Sequence, residues 1–113
     1  MDRMLNQFCR KTLWIVGVLF VFSSPLRAQG DAAATYKAKC APCHGADGKG
    51  DTPAGQKLGA HDFTSPDIAK MTDAELIEVT KHGKNKMPAY ADKLSDSEIK
   101  DLVAYIRQFG KKK

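Results

Sequence analysis

The sequence contains few cysteines, one tryptophan and no long run of apolar residues. Of its 113 residues three are cysteines, and Cys9 stands apart from the pair Cys40 and Cys43. So few cysteines exclude a disulfide-rich scaffold and a zinc site built from four thiolates. An uncharged apolar run covers residues 13–22, about half the length that a membrane-spanning helix needs. No segment alternates apolar and polar residues convincingly, so we expect no β-sheet.

The N-terminus has the three parts of a secretory signal peptide. Arg3, Arg10 and Lys11 precede the apolar run, and a small-residue segment that ends at Ala28 follows it. Signal peptidase cleaves after segments of this kind. We therefore expect residues 1–28 to be removed and the mature protein to be periplasmic or otherwise extracytoplasmic, with no stable membrane span. An uncleaved membrane anchor is the alternative.

Cleavage would leave a small and nearly neutral chain. Residues 29–113 contain 14 basic and 12 acidic side chains, a net charge of about +2 in place of +5 for the full sequence. This charge does not support binding to nucleic acid. A chain of this length can build only a small core, and such domains usually need a disulfide, a metal or a large buried cofactor.

Three segments have the sequence pattern of α-helices. Residues 31–41 consist mainly of good helix formers. Residues 72–75 and 95–98 are capping boxes, in which threonine or serine is followed three residues later by glutamate. The helix after the first box is expected to end at Gly83. The helix after the second capping box has apolar residues at helical spacing and is expected to end at Gly110.

The segments between these helices are predicted to be loops. Residues 44–66 contain five glycines and two prolines, and residues 83–93 are polar and rich in lysine. A short helical turn is expected to begin near Pro66. Loops as long as the first are often functional or wrapped around a ligand. The predicted fold class is therefore all-α, with three main helices joined by long loops.

The strongest pattern in the sequence is Cys40-Ala41-Pro42-Cys43-His44. It matches C-x-x-C-H, the attachment motif of c-type haem. Two thiols at this spacing can each add to one vinyl group of the porphyrin, and the adjacent histidine is then placed to bind the iron. We expect one covalently attached haem c, held by Cys40 and Cys43 and ligated by His44.

Three other interpretations of the cysteine pair fit the sequence less well. A thioredoxin-like dithiol expects a strand before the motif and a helix after it, whereas a predicted helix precedes this motif and a glycine-rich loop follows. A zinc site needs further ligands at a suitable spacing. A structural disulfide across two residues closes too small a loop to stabilise the fold much.

A second axial ligand could come from any of four side chains, namely Met71, Met87, His61 and His82. Met71 precedes a capping box, where it can pack as a hydrophobic staple. His82 ends a helix, where histidine interacts favourably with the helix dipole, and His61 lies in the long loop. Met87 has no apolar periodicity to explain it, and Pro88 keeps the backbone after it extended. We therefore predict Met87 as the second metal ligand.

These motifs resemble those of a known family. C-A-P-C-H-G at 40–45 and K-M-P at 86–88 resemble the haem and methionine loops of class I cytochromes c, most of all the small bacterial and c6-like members. Tyr36 resembles a residue of the family's N-terminal helix, and Leu102 and Tyr105 resemble the C-terminal helix that it crosses. The resemblance implies a single cytochrome c domain over the whole predicted mature chain.

The chain departs from the family pattern at two points. The tryptophan that some members place near a haem propionate is absent from residues 29–113. The family also uses a proline carbonyl to hold the second nitrogen of the axial histidine, and Pro53 is the candidate for that role.

The resemblance and the predicted ligands imply an electron carrier and not an enzyme, because histidine and methionine together close the iron to substrates. The expected partners are redox proteins with acidic docking faces, which would meet a basic collar around the methionine loop. The collar is formed by Lys81, Lys84, Lys86 and Lys93. We expect a monomer. The alternative is a haem enzyme or small-ligand sensor in which Met87 leaves the iron.

Overall fold

The computed structural model describes residues 26–112, all of them helix, turn or loop. The predicted signal peptide lies almost wholly outside this range, so its removal stays a prediction. None of the helices within residues 26–112 is long and apolar enough to cross a membrane. The helices, in chain order, are α1 (Leu26–Thr35), which continues through a π-helical turn (Tyr36–Cys40) into α2 (Ala41–His44), then α3 (Pro53–Leu58), α4 (Pro66–Lys70), α5 (Asp73–His82) and α6 (Asp96–Lys111).

The all-α fold class is confirmed, while the bounds of two helices differ from the prediction and one helix was not predicted. The first helix extends beyond residues 31–41 at both ends, and it carries the whole cysteine motif. The long loop contains α3, which begins at a Thr52 cap followed by Pro53, a favourable residue for the first helical position. The last helix passes through Gly110 and ends one residue later at Lys111.

Both predicted capping boxes are present. The Thr72 hydroxyl accepts a hydrogen bond from the Glu75 backbone N–H, and the Glu75 carboxylate accepts one from Thr72 in return. Ser95 and Glu98 make the same exchange at the start of α6. These hydrogen bonds hold the pKa of both glutamates below its usual range. Their contribution to stability is therefore present above the ordinary glutamate pKa and is lost as the pH falls through the lowered one.

The core lies between the first and last helices. Tyr36 and Leu102 are almost fully buried in one hydrophobic cluster, together with Ile99, Ile106 and Phe109. The side chains of α6 that fill this cluster recur at helical spacing, which confirms the predicted apolar face of that helix. The first and last helices therefore pack against each other, as the family resemblance implied.

Arg107 joins α6 to α4 and to the start of α5. Its guanidinium donates to the Asp73 carboxylate at 2.9 Å and to the backbone carbonyl of Ile68 at 2.9 Å. It also donates to the carbonyl of Met71. The Met71 side chain packs against a second hydrophobic cluster formed by Ile68, Leu76 and Val103. Met71 therefore has the packing role that its position before the capping box predicts.

Candidate haem site

The cysteine motif begins at Cys40, the last residue of the π-helical turn. The backbone N–H of Ala41 donates to the carbonyl of Tyr36, five residues earlier, where an α-helix would use the fourth. The helix then ends after His44, since Gly45 adopts a φ of +84°. Among the described residues Cys40 and Cys43 are free thiols, and both are partly exposed. Turns of this π type occur frequently at functional sites.

The raised pKa of the Cys40 thiol argues against a dithiol oxidoreductase. Burial raises the pKa of its thiol to about 11, so the group is neutral at physiological pH. The thiolate is the species that attacks disulfides, and catalytic cysteines accordingly have lowered pKa values. A neutral, half-buried thiol next to a cavity fits an attachment point for a cofactor better.

The His44 imidazole is buried and fixed by a main-chain acceptor. Its Nδ1 donates to the carbonyl oxygen of His61 at 3.1 Å. Burial lowers the pKa of His44, which favours the neutral ring. With the proton held at Nδ1, the lone pair of Nε2 is left for a metal ion. Pro53 was expected to supply this acceptor and does not, because it forms the first residue of α3.

Helix α3 rests directly on the cysteine motif. The Thr52 hydroxyl lies 2.9 Å from the carbonyl oxygens of both Pro42 and Cys43 and accepts the N–H of Gly55. A Cβ atom at position 55 would lie only 2.1 Å from the Cys43 carbonyl oxygen, so this approach requires glycine. On the other side of the motif, the Tyr36 hydroxyl donates to the Gly45 carbonyl at 2.7 Å.

The methionine loop is closed by a four-residue turn. Met87 N–H donates to the Lys84 carbonyl at 3.0 Å, and Lys84 N–H donates to the Met87 carbonyl at 3.3 Å. Tyr90 then connects the loop to the first helix, since its hydroxyl donates to the Lys39 carbonyl at 3.2 Å. Its backbone N–H also donates to the Thr80 carbonyl of α5. Met87 is therefore held next to the helix that carries the cysteine motif.

The four predicted site residues line one cavity of about 300 Å³. They are Cys40, Cys43, His44 and Met87. A second, narrow cavity of about 20 Å³ shares Cys40, His44 and Met87 with the first and reaches into the core. Of the three other ligand candidates, only His61 lines either cavity. The His82 side chain is exposed, and its Nε2 lies 3.3 Å from a carboxylate oxygen of Glu78. An apolar cavity with two thiols, an imidazole and a thioether fits haem c. The remaining lining residues of the larger cavity are Lys39, Leu58, Gly59, Ala60, His61, Val79, Lys84, Asn85, Lys86, Pro88 and Tyr90.

Comparisons with known proteins identify the family. Residues 27–106 match a family model described as cytochrome C oxidase, cbb3-type, subunit III. The chain belongs to the class I c-type cytochromes. The cytochrome therefore has an all-α cytochrome c fold, binds haem c covalently with its iron, and takes part in electron transfer.

Individual relatives agree with this family. Cytochrome c6 of a Nostoc species is 36% identical over 89 residues, which are 77% of this chain and 78% of that protein. The cbb3-type cytochrome c oxidase subunit CcoP of Azospirillum brasilense is 33% identical over 88 residues. This match covers 71% of the cytochrome but only 30% of that subunit. The solved structure of the KustC0563 c-type cytochrome has a TM-score of 0.65 and 36% identity, and covers 70% of this chain and 96% of that one.

Several residues around the cavity were not found from the sequence. Phe63 stacks on the His44 ring, and Tyr90 anchors the methionine loop. Each is an aromatic residue in a mainly polar loop, which is the same signal that pointed to Met87. The His61 carbonyl has no such signal, because every residue carries this acceptor. Lys39 was overlooked because it lies on a helix and not in the methionine loop.

Proposed function

We propose that the cytochrome carries single electrons between redox proteins, with haem attached at Cys40 and Cys43 and ligated by His44 and Met87. The observation that carries this proposal is that the four side chains line one cavity. Bound haem supplies a one-electron iron couple. A methionine thioether favours reduced iron and raises the potential relative to harder ligands. His44 and Met87 together would leave no position on the iron for a substrate, so we propose an electron carrier and not an enzyme.

The residues around the ligands support this role by fixing them before an electron arrives. The His44 ring is held at Nδ1 by a backbone carbonyl, and Met87 lies in a hydrogen-bonded turn. Side chains such as Val79, Leu94 and Ile106 give the two cavities a mainly apolar lining. A site whose ligands are already fixed changes little in structure when its charge changes, and this favours rapid transfer in both directions.

A lysine rim, consisting of Lys39, Lys84 and Lys86, is the docking surface in this proposal. All three side chains are exposed, and all three line the larger cavity. The rim differs from the predicted collar because two of the collar lysines have other partners. Lys81 forms an ion pair with Asp96 at 3.1 Å. The Lys93 ammonium lies 5.4 Å from the centroid of the Tyr90 ring.

The lysine rim shares its cavity with an exposed apolar side chain, as a docking site requires. Leu58 is the large hydrophobic residue that the described part of the chain leaves exposed, and it lines the same cavity. An apolar centre excludes water on contact, while the charged rim orients the partner and accelerates its approach. We therefore propose partners with acidic faces and weak, brief complexes, as is usual for redox encounters.

Charge reversal at the rim tests the docking surface. We expect the double substitution Lys84→Glu/Lys86→Glu to slow reduction of an acidic redox protein by roughly tenfold or more at low salt, because electrostatic steering is lost. The dependence of the rate on ionic strength should also flatten. Stopped-flow kinetics over a range of salt concentrations measure both effects. The control Lys111→Glu/Lys112→Glu changes the net charge equally, and a larger effect there would place the docking surface elsewhere.

We also propose that the protein loses its signal peptide, carries one attached haem and is a monomer. We expect the exported protein to begin at Gln29, to carry one haem that survives denaturation, and to run as a monomer in size-exclusion chromatography. Intact-mass spectrometry of the purified protein checks the first two points. A retained Met1 would contradict the signal peptide. A mass without a haem adduct would contradict attachment, and Cys40→Ser/Cys43→Ser provides the unattached reference.

A further inference from the structure

Phe63 covers one face of the His44 imidazole. The two ring centroids are 4.3 Å apart, and the ring planes differ by only 19°. The other constraint on this imidazole is the hydrogen bond from Nδ1 to the His61 carbonyl, two residues before Phe63. Residues 61–63 therefore supply both the carbonyl that accepts from the edge of the imidazole and the aromatic ring that covers its face. A single hydrogen bond leaves the plane of the ring free to tilt, whereas a stacked neighbour does not.

Phe63 is itself held firmly. Its backbone N–H donates to the Gly48 carbonyl at 2.8 Å. Next to it, Asp62 accepts hydrogen bonds from the backbone N–H and the hydroxyl of Thr64, at 2.8 and 2.7 Å. The backbone is therefore held on both sides of Phe63.

The Phe63 ring also rests on the hydrophobic core. The Phe109 ring of α6 lies 6.3 Å from it with an interplanar angle of 23°, so the rings of His44, Phe63 and Phe109 form a nearly parallel series. Gly48 packs against the far end of this series, since a Cβ atom at that position would lie 2.9 Å from the Phe109 ring. Phe63 therefore contacts both His44 and the core helix α6, while hydrogen bonds outside α6 hold its backbone.

We propose that Phe63 is a positioning residue that sets the plane of the His44 imidazole at the haem iron. This inference rests on the proposed function in one respect, namely that His44 is the axial ligand. The plane of an axial imidazole decides which iron d orbitals its π electrons meet. That overlap sets the magnetic axes of the ferric ion and contributes to its potential.

The test compares ferric holoproteins by electron paramagnetic resonance and by the hyperfine-shifted haem-methyl signals in proton NMR. We expect Phe63→Leu, which keeps the position apolar but removes the stacked ring, to change the g-values and the order of the haem-methyl signals. Phe63→Tyr should restore the wild-type pattern. The sulfur-to-iron charge-transfer band should persist in both variants, because Met87 is untouched. If Phe63→Leu does not take up haem, Phe63→Met provides the same comparison.

Phe109→Leu is the matched control, because Phe109 contacts Phe63 but makes no ring contact with His44. It should lower stability and leave the haem-methyl order unchanged. The proposal is overturned if the Phe63→Leu signals coincide with those of the wild type, or if Phe109→Leu moves them equally. An absent sulfur-to-iron band in the wild type would instead overturn the assignment of Met87. The g-values of Phe63→Leu would still decide the role of Phe63.

Discussion

Substitution of Met87 by alanine is expected to leave haem attached while the iron loses its second protein ligand. Attachment should survive because Cys40, Cys43 and His44 are unchanged. The potential should fall by on the order of 0.1 V or more, out of the roughly 0.8 V range that axial ligands span. The reduced variant should also bind carbon monoxide, which the wild type should not. A redox titration and the ferric sulfur-to-iron charge-transfer band check these expectations.

The other ligand candidates provide the controls for this experiment. Met71 packs against Ile68 and Leu76, and Arg107 donates to its carbonyl. Met71→Ala should therefore reduce stability and leave the iron spectrum unchanged. His82 is exposed and paired with Glu78, so His82→Ala should change neither property much. A charge-transfer band that persists in Met87→Ala and disappears in either control would show that the ligand assignment is wrong.

Carbon monoxide also separates the electron carrier from the alternative function. In a haem enzyme or sensor Met87 would leave the iron readily, and the reduced wild type would bind carbon monoxide at neutral pH. The turn around Met87 is closed by two backbone hydrogen bonds, and Tyr90 fixes the chain shortly after it. These contacts oppose displacement of the methionine. Ready binding of carbon monoxide by the wild type would favour the alternative.

The sequence was informative about the fold wherever a local rule applied. The capping boxes at Thr72 and Ser95 fixed the starts of α5 and α6, because a cap depends on neighbouring residues alone. Helix α3 was missed although Thr52 and Pro53 form a good start, because the glycines around them outweighed that signal. This helix is supported by tertiary contacts, notably the close approach of Gly55 to the Cys43 carbonyl, which no sequence pattern encodes.

For the site, the sequence indicated which residue types are used but not how they are arranged in space. Cys40, Cys43 and His44 were predicted as site residues because haem attachment requires these residue types in this order. Met87 was predicted as a ligand because a thioether in a polar loop had no packing role, and it lines the same cavity as the cysteine motif. The acceptor at His61 and the stacked ring of Phe63 depend on how residues 61–63 pass the motif. That path depends on tertiary contacts, among them the hydrogen bond from Phe63 to Gly48 and the contact with Phe109, so it could be read only from the structure.

The first and last helices cross at the main hydrophobic core of the cytochrome. Leu102 is 1% exposed and Tyr36 is 2% exposed, and both belong to the cluster that these helices share. The Tyr36 ring lies 5.2 Å from that of Tyr105 and 5.1 Å from that of Phe109. Its hydroxyl also donates to the Gly45 carbonyl, directly after the haem motif. A loss of packing here would therefore affect both the core and the end of the helix that carries His44.

We expect Leu102→Ala and Tyr36→Ala each to lower the free energy of unfolding by about 2–5 kcal/mol, because each would leave a cavity between packed helices. Tyr36→Phe isolates the hydroxyl and should cost only about 1 kcal/mol, since one buried hydrogen bond is lost while the ring stays in place. Lys100→Ala is the control, because this side chain is exposed on α6 and its loss leaves no buried cavity. Denaturant melts of the holoproteins measure all four values. Changes below about 0.5 kcal/mol, the size usual for surface substitutions, at both core positions would contradict the packing of these two helices.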